Sequence, residues 1–294
     1  MSKLHTPIEK SAIAASFSKA AHSYDKAAIL QNEIGSRLID RLQLFRLKPQ
    51  RILDIGCGTG YLTQKLSGLY PKATIYGVDI AEGMINYAKH YHPLPSQNCY
   101  LCCDAEHLPF PDNSFDFIFS NCSLQWLSDL PQIFSHLQRL LNPGGLLLFT
   151  TLGPNTLQEL RNSFAQLDDY THVNDFEDMH NLGDALLSAN FHDPVMDMEM
   201  LTLQYDTVQR LMADLKQTGA HNLNSNRPKH LMSKQYLQKL VHAYEQYRAV
   251  DNYLPASFEV LYGHAFGPET QPQYTDETGQ TFISIDDIKI LTDS

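Results

Sequence analysis

The feature that most limits the fold is an alternation of short apolar segments with helical segments between residues 51 and 152. The strand candidates are RILDI, ATIYGVDI, NCYLCCDA, FDFIFSNCSL and LLLFTTL, and helix candidates such as YLTQKLSGLY and AEGMINYAKHY separate them. Strands that alternate with helices of this length form parallel βαβ units. The sequence therefore predicts an α/β fold with a doubly wound, mostly parallel sheet.

The segments on either side of this core predict further helices and the last strands of the sheet. Residues 1–46 are expected to form an N-terminal helical arm that breaks into two helices near Ser23. Residues 47–152 are the α/β core, and residues 153–266 combine helix candidates with the strand candidates VMDMEMLTLQY and ASFEVLYGHAF. We interpret these helices as an insertion after the fifth strand and ahead of the final strands. Residues 267–294 form a polar tail with no assigned role.

Composition argues against several classes of protein. The net charge of −11 over 294 residues argues against nucleic-acid binding, which needs a basic surface. The sequence has no run of eighteen apolar residues and no apolar leader, so neither a membrane span nor secretion is expected. The five cysteines include the adjacent pair Cys102 and Cys103, which favours a reducing cytoplasm over disulfides. We interpret the thiols as strand-packing residues.

One segment carries side chains that metals can bind. HVNDFEDMH contains Asp175, Glu177, Asp178 and His180. Their spacing fits no closed ligand set, and loop or helix-capping roles explain it better. We therefore expect no metal.

A glycine-rich turn follows the first strand of the core. In RILDIGCGTGYLT the glycines are Gly56, Gly58 and Gly60, which leaves Tyr61 where a dinucleotide-binding turn has its last glycine. The carboxylate of Asp54 would repel a pyrophosphate but would suit an ammonium group. S-adenosylmethionine carries an ammonium group and a sulfonium and has no phosphate. The turn therefore predicts S-adenosylmethionine as the ligand.

Polar side chains at the ends of the next strands extend this site. We expect Asp79 to accept the ribose hydroxyls and Asp104 to accept the adenine amino group, with the amide of Ala105 beside it, while Asn121 lies near the transferred methyl. Such residues also cap turns, and for a single position that explanation is equally good. For four strand ends in register with the glycine turn, ligand binding is the better explanation. The predicted cofactor contacts also include Ile80 and Met84.

The motifs together resemble a known family. LDIGCGTG, VDIAEGMI, CDAEHLPFPDNSFDFIFSN and LNPGGLLLFTTL are similar to successive motifs of class I S-adenosylmethionine-dependent methyltransferases. FSKAAHSYDKAAILQ, TLGPNTLQELR, HVNDFEDMHNLGDAL, LKQTGAHNLN and FEVLYGHAF resemble the malonyl-[acyl-carrier protein] O-methyltransferases of biotin synthesis, to about Phe266. The resemblance implies a Rossmann-like fold and a cytoplasmic enzyme. It also implies methyl transfer to the free carboxylate of a malonyl thioester on acyl carrier protein, with S-adenosylhomocysteine as product.

That reaction needs few catalytic groups. A malonyl carboxylate is ionised at neutral pH, so no general base and no acid/base residue is expected. In-line alignment and exclusion of water can supply about 7–11 kcal/mol of the barrier. We expect Arg161 to pair with the malonyl carboxylate, although a solvated helix arginine would explain it equally well.

Four residues are expected around the bound ligands. Tyr24 and Phe17 in the N-terminal arm would close over the cofactor as a lid, unless they only pack within the helix. Gln31 would help to hold the methionine end. Trp126 would line the substrate pocket or belong to the core.

A basic stretch offers a surface for the carrier. Residues 208–240 hold six Lys or Arg against one acid, a balance of 6 − 1 = +5. Lys216, Arg227 and Lys229 are expected to contact an acidic carrier protein, or else they are solvated. The patterns do not determine the oligomeric state, and a monomer is the working expectation. Two alternatives stay open: methylation of another small molecule or of a protein side chain, as in assembly factors of respiratory complex I, and a non-catalytic cofactor-binding module.

Overall fold

The computed structural model describes residues 9–220, 222 and 232–269, and its strands form one seven-stranded sheet. The strands are β1 (Arg51–Ile55), β2 (Thr74–Asp79), β3 (Cys99–Cys102), β4 (Phe115–Asn121), β5 (Leu141–Leu152), β6 (His192–Tyr205) and β7 (Leu254–Phe266). Their order across the sheet is β3-β2-β1-β4-β5-β7-β6. Strands β1 to β5 are parallel, and β7 is antiparallel to both of its neighbours. The predicted doubly wound, mostly parallel sheet is confirmed.

Helices lie on both faces of this sheet. In the described residues they are α1 (Lys10–Ala27), α2 (Ile29–Asp40), α3 (Tyr61–Leu69), α4 (Glu82–Tyr91), α5 (Leu130–Leu140), α6 (Gln158–Ala165), α7 (Met179–Ser188), α8 (Val208–Gln217) and α9 (Lys234–Tyr244). None of these described helices is both long and apolar enough to cross a membrane.

The two faces of the sheet bury separate apolar cores. Along β4, Phe117 and Phe119 belong to one core and Ile118 to the other, as expected for side chains that alternate across a strand. All three side chains are fully buried. Because both faces are covered, these three consecutive residues of β4 are all apolar instead of alternating with polar residues.

The N-terminal arm breaks at a different residue from the one predicted. Helix α1 continues through Ser23, and the break comes at Ala28, where ψ is 43°. The hydroxyl of Ser23 donates to the carbonyls of Ala20 (3.0 Å) and Gln217 (3.2 Å), so its polar group is satisfied inside the helix. The prediction of a break near Ser23 is therefore wrong.

The structure differs from the expected arrangement in two further respects. The helices do not all precede the last two strands: α6 and α7 come before β6, and α8 and α9 lie between β6 and β7. The cysteines do not all pack within strands: Cys57 is buried in the glycine turn, and Cys102 is exposed at the end of β3. The capping role expected in HVNDFEDMH is seen at Asp178, whose carboxylate accepts from the backbone N–H of Asn181 at 2.9 Å.

The strand order places a crevice between β1 and β4. The chain runs from β1 outward to β3 on one side, and then crosses to β4 and β5 on the other. Ligands of open α/β sheets bind at such a switch point, outside the carboxyl ends of the strands.

Candidate functional site

A cavity of about 730 Å³, including the open space at its mouth, lies at the carboxyl ends of β1, β2 and β4. Many of the residues predicted from the sequence line the cavity: Phe17, Tyr24, Gly56, Gly58, Asp79, Ile80, Met84, Asp104, Ala105, Asn121 and Trp126. Of the residues predicted to contact the cofactor or the malonyl carboxylate, four do not line it: Gln31, Asp54, Gly60 and Arg161.

The glycine turn has backbone conformations that favour glycine. Gly56 has φ of 67°, and a Cβ there would lie 2.3 Å from the Cβ of Ser123. Gly60 has φ of 82°, and its Cβ would meet the hydroxyl of Tyr100 at 2.3 Å. Gly58 has φ of 54°, and a Cβ there would meet no atom within 4 Å, so this residue presents bare backbone to the cavity that it lines. A ligand can therefore approach the turn closely at Gly58.

Asp79 connects this turn to the end of β2. Its Oδ2 accepts from the N–H of Gly58 at 2.9 Å, and its Oδ1 accepts from the N–H of Ala81 at 2.8 Å. Burial raises the pKa of Asp79 to about 6, although the two backbone hydrogen bonds act in the opposite direction. The carboxylate is thus held in place by the backbone and lines the cavity, where a ribose could reach it.

Asp54 is buried and does not line the cavity. Its side chain is 2% exposed, and its Oδ2 accepts from the hydroxyl of Thr63 at 2.5 Å. Burial raises the pKa of Asp54 to about 7. The observed hydrogen bond connects β1 to α3. The contact between Asp54 and an ammonium group stays a prediction.

Asp104 already has a cationic partner. Its Oδ2 accepts from Lys10 Nζ at 2.5 Å, and the same nitrogen donates to Glu106 Oε2 at 2.5 Å. Its Oδ1 accepts from the N–H of Glu106 at 3.0 Å and so caps a short 3-10 helix. Burial raises the pKa of Asp104, but the hydrogen bond and charge of Lys10 outweigh this effect and lower it. Its predicted adenine contact remains a prediction, and Lys10 is a partner that sequence reasoning missed.

The side chain of Asn121 is hydrogen-bonded directly to the backbone of Gln31. The side-chain amide of Asn121 donates to the backbone carbonyl of Gln31 at 3.0 Å, and its Oδ1 accepts from the hydroxyl of Thr150 at 2.8 Å. Asn121 therefore ties α2 to β4 and β5 while it also lines the cavity. The role predicted for the Gln31 side chain stays a prediction.

Helix α1 forms one wall of the cavity. Ile13, Phe17 and Tyr24 line it, and the ring of Phe17 meets that of Trp126 edge-on with centroids 5.3 Å apart. Burial raises the pKa of the Tyr24 hydroxyl, which therefore stays protonated and able to donate. This arrangement supports the predicted lid, and the role of Trp126 as a pocket residue is consistent with it.

Both ends of α1 are fixed to the cofactor core. At its start Lys10 contacts Asp104 and Glu106. Near its end Asp25 accepts from the hydroxyl of Thr59, in the glycine turn, at 2.5 Å, and lies 3.0 Å from His92 Nε2. Opening the cavity along this wall therefore requires these contacts to break.

Replacing Lys10 with methionine should speed the release of S-adenosylmethionine about three- to tenfold. The change keeps the length of the side chain but removes both ion pairs, each of which is partly exposed and therefore modest in strength. Stopped-flow fluorescence of cofactor release measures the rate. Lys19→Met, on the exposed side of the same helix, is the matched control and should leave the rate unchanged. Equal release rates for Lys10→Met and the wild type would show that the ion pairs of Lys10 do not hold α1 over the cofactor.

Arg161 lies in α6, the helix that follows the carboxyl end of β5. Its Nη1 donates to the carbonyl of Pro154 at 2.6 Å, and its Nη2 donates to the carbonyl of Asn174 at 3.1 Å. Its Nε is buried and has no hydrogen-bond acceptor among the described residues, and Asn174 Oδ1 likewise has no donor there. Burial lowers the pKa of Arg161, and the charge of Asp175 opposes this. The guanidinium is thus positioned by backbone carbonyls and carries an unused donor.

The residues predicted to dock the carrier are only partly described. Lys216 is exposed in the last turn of α8. Arg227 and Lys229 lie outside the described residues.

The lining of the cavity suits S-adenosylmethionine. Of the described residues that line it, Asp79 and Asp104 are the carboxylates and Lys10 is the only Lys, Arg or His. Lys10 is paired with Asp104 and Glu106, which leaves Asp79 as an uncompensated carboxylate for a ligand with a sulfonium and ribose hydroxyls. Apolar side chains, including Ile13, Phe17 and Met84, form the rest of the wall, where a neutral adenine can pack. In the described ranges, no three His, Cys, Asp or Glu side chains cluster as metal ligands would.

Comparison with known proteins gives consistent similarities. The profile of a methyltransferase domain family matches residues 53–149. The malonyl-[acyl-carrier protein] O-methyltransferase of Halorhodospira halophila is 41% identical over 283 residues, which cover 96% of each chain. The enzyme of the same name from Gallionella capsiferriformans is 44% identical and covers 89% of this chain and 92% of its own. The crystal structure of the YcgJ protein from Bacillus subtilis superposes with a TM-score of 0.57 at 18% identity, covering 79% of this chain and 98% of that one.

Proposed function

This chain belongs to the malonyl-[acyl-carrier protein] O-methyltransferase family, and on that premise we propose that it methylates the free carboxylate of a malonyl thioester carried by acyl carrier protein. The chain is an S-adenosylmethionine-dependent O-methyltransferase. The observation that carries the choice of acceptor is the extent of the similarity, which includes the substrate-side helices α6 to α9 as well as the cofactor core. As the resemblance implies, the methyl ester would serve biotin synthesis in the cytoplasm.

The reaction requires alignment more than acid/base chemistry. When bound, S-adenosylmethionine supplies an electrophilic methyl group on a sulfonium. Its methyl group would pass to a carboxylate oxygen and the bonding electron pair would stay on sulfur, which leaves S-adenosylhomocysteine, so no proton would need to move. This chain then has three tasks: Asp79 holds the ribose, Phe17, Tyr24 and Trp126 exclude water, and a cation orients the acceptor.

We assign the orientation of the acceptor carboxylate to Arg161. Its Nη1 and Nη2 donate to the carbonyls of Pro154 and Asn174, which hold the guanidinium in place, and its Nε–H has no acceptor in the described part of the chain. A buried donor without an acceptor costs about 1–3 kcal/mol, and a carboxylate that accepted this hydrogen bond would offset the cost. Because burial lowers the pKa of Arg161, an arriving anion would also be favoured electrostatically.

A transfer assay tests the acceptor. S-adenosylmethionine labelled in its methyl group is incubated with malonyl-acyl carrier protein, succinyl-acyl carrier protein and malonyl-coenzyme A. We expect base-labile label on the malonyl carrier protein, as a methyl ester requires, and much less on the succinyl carrier protein. Cofactor binding without transfer to any of the three would contradict the proposal and favour a non-catalytic module. Transfer only to some other small molecule or protein would favour a different acceptor.

A further inference from the structure

Helix α1 presents two different faces. Its inner face carries Ile13, Phe17 and Tyr24, which line the cavity. Its outer face carries Lys19, His22 and Lys26, all exposed and spaced by three and four residues, so that they lie along one side of the helix. Helix α1 therefore lies between the cavity and a basic surface.

The end of α8 extends this basic face. The hydroxyl of Ser23 donates to the carbonyl of Gln217 at 3.2 Å, and that of Ser16 donates to the carbonyl of Gly219 at 3.1 Å. These contacts place Lys216, which is exposed in the last turn of α8, beside α1. We name Lys19, Lys26 and Lys216 the outer lid surface.

The lysines of the outer lid surface are available to a partner. Among the described residues, none of the three has a carboxylate within 4.0 Å, whereas Lys10 on the same helix has two. The acidic neighbours have other contacts: Asp25 accepts from Thr59, and Asp214 lies 4.0 Å from Arg210. The surface is thus a positive area on a protein whose net charge is −11.

The outer lid surface also lies close to residues that line the cavity. A Cβ on Gly219 would lie 3.2 Å from the ring of Phe17, so the segment that follows α8 packs against the residue whose ring meets Trp126. An acidic protein bound on the outer lid surface would therefore lie close to Phe17 and Trp126, the aromatic pair that lines the cavity. The negatively charged phosphopantetheine arm of a carrier would then start close to the cavity wall.

We infer that the outer lid surface is the docking site for acyl carrier protein. The choice of this partner rests on the proposed function. The carrier is acidic, and positive charge on its docking surface attracts it and aligns it. The residues that cover the cofactor then belong to the same helix that receives the carrier. Docking on α1 would hold the lid in place during transfer.

The inference is tested with Lys19→Glu/Lys26→Glu, which reverses both charges on the outer face of α1. The matched control is Lys48→Glu/Lys72→Glu, because these exposed lysines precede β1 and β2 and so lie at the opposite edge of the sheet. Binding of fluorescently labelled phosphopantetheine-loaded carrier protein is followed by anisotropy, without turnover. We expect the Kd to rise at least about tenfold in the α1 variant and to change less than about twofold in the control.

A second readout separates docking from chemistry. The KM for malonyl-acyl carrier protein should rise with the Kd, while kcat/KM for malonyl-pantetheine, which has no protein carrier, should be unchanged. An unchanged Kd in the α1 variant, or equal losses in both variants, would overturn the inference. A third outcome is also distinguishable: the α1 variant binds the carrier more weakly, but the wild type methylates no malonyl thioester. That outcome would support the docking site and would contradict only the proposed function.

Discussion

Replacing Asp79 with alanine is expected to raise the Kd for S-adenosylmethionine about 100- to 1,000-fold. Hydrogen bonds to a charged acceptor contribute about 1.5–3 kcal/mol each, and in the proposed site the carboxylate would accept two from a ribose. The substitution also frees the N–H groups of Gly58 and Ala81, which Asp79 now holds at 2.9 and 2.8 Å, so the glycine turn loses its anchor to β2. Titration calorimetry measures the affinity.

A second aspartate provides the matched control. Asp116 accepts from the backbone N–H groups of Gln50 (2.7 Å) and Arg51 (2.9 Å), so it too ties a strand to a neighbouring segment. It lies at the amino end of β4, away from the cavity. Asp116→Ala should lower thermal stability while cofactor affinity stays within about twofold of the wild type. Similar losses of affinity in both variants would mean that Asp79 acts only through folding.

Cofactor affinity should also depend on pH through Asp79. Burial raises its pKa to about 6, and ribose hydroxyls donate to the ionised form. Affinity should therefore be full above about pH 7 and fall by up to about tenfold per pH unit below pH 6. For folding the sign is opposite: a raised carboxyl pKa favours the protonated folded state, so stability is lost as the pH rises from the ordinary aspartate value through 6. Asp79→Asn should remove the pH dependence of affinity between pH 5 and about 7.

The sequence predicted the parts of the site that depend on local pattern. Parallel strands bring their carboxyl ends to one edge, so residues that end β2 and β4, such as Asp79 and Asn121, could be assigned to one site from strand positions alone. The glycines at 56 and 58 were likewise predictable, because their turn follows a strand directly. Local pattern was sufficient where the backbone itself determines the position.

The contacts that the sequence did not predict join distant segments. Lys10 pairs with Asp104 across 94 positions, and no spacing rule links an arm residue to a strand end. Asp54 shares its strand edge with the site, yet its side chain is hydrogen-bonded to Thr63 and does not line the cavity. Strand position identifies an edge, but the direction of each side chain follows from packing. The two faces of α1 were missed for the same reason.

Replacing Arg161 with alanine should lower kcat/KM for malonyl-acyl carrier protein about 30- to 100-fold, with cofactor affinity within about twofold of the wild type. The expected loss corresponds to one charge-assisted interaction with a carboxylate. Arg161 is outside the lining of the cofactor cavity, so its removal should leave the cofactor contacts intact. Arg161→Lys keeps the charge without the planar fork and should have an intermediate effect. Steady-state kinetics and calorimetry on the same preparations separate the two quantities.

The control must separate lost charge from a loosened backbone, because Arg161 also holds the carbonyl of Asn174. Tyr236 anchors the same segment between α6 and α7 at another point, where its hydroxyl donates to Asp168 at 2.5 Å, and Tyr236→Phe removes that bond without changing a charge. If Arg161 orients the acceptor, Tyr236→Phe should cost less than about threefold in kcat/KM. Equal losses in the two variants would assign Arg161 to the support of this segment, and a parallel loss of cofactor affinity in Arg161→Ala would place it at the cofactor instead. Only a selective loss of malonyl turnover fits a guanidinium that positions the attacking carboxylate.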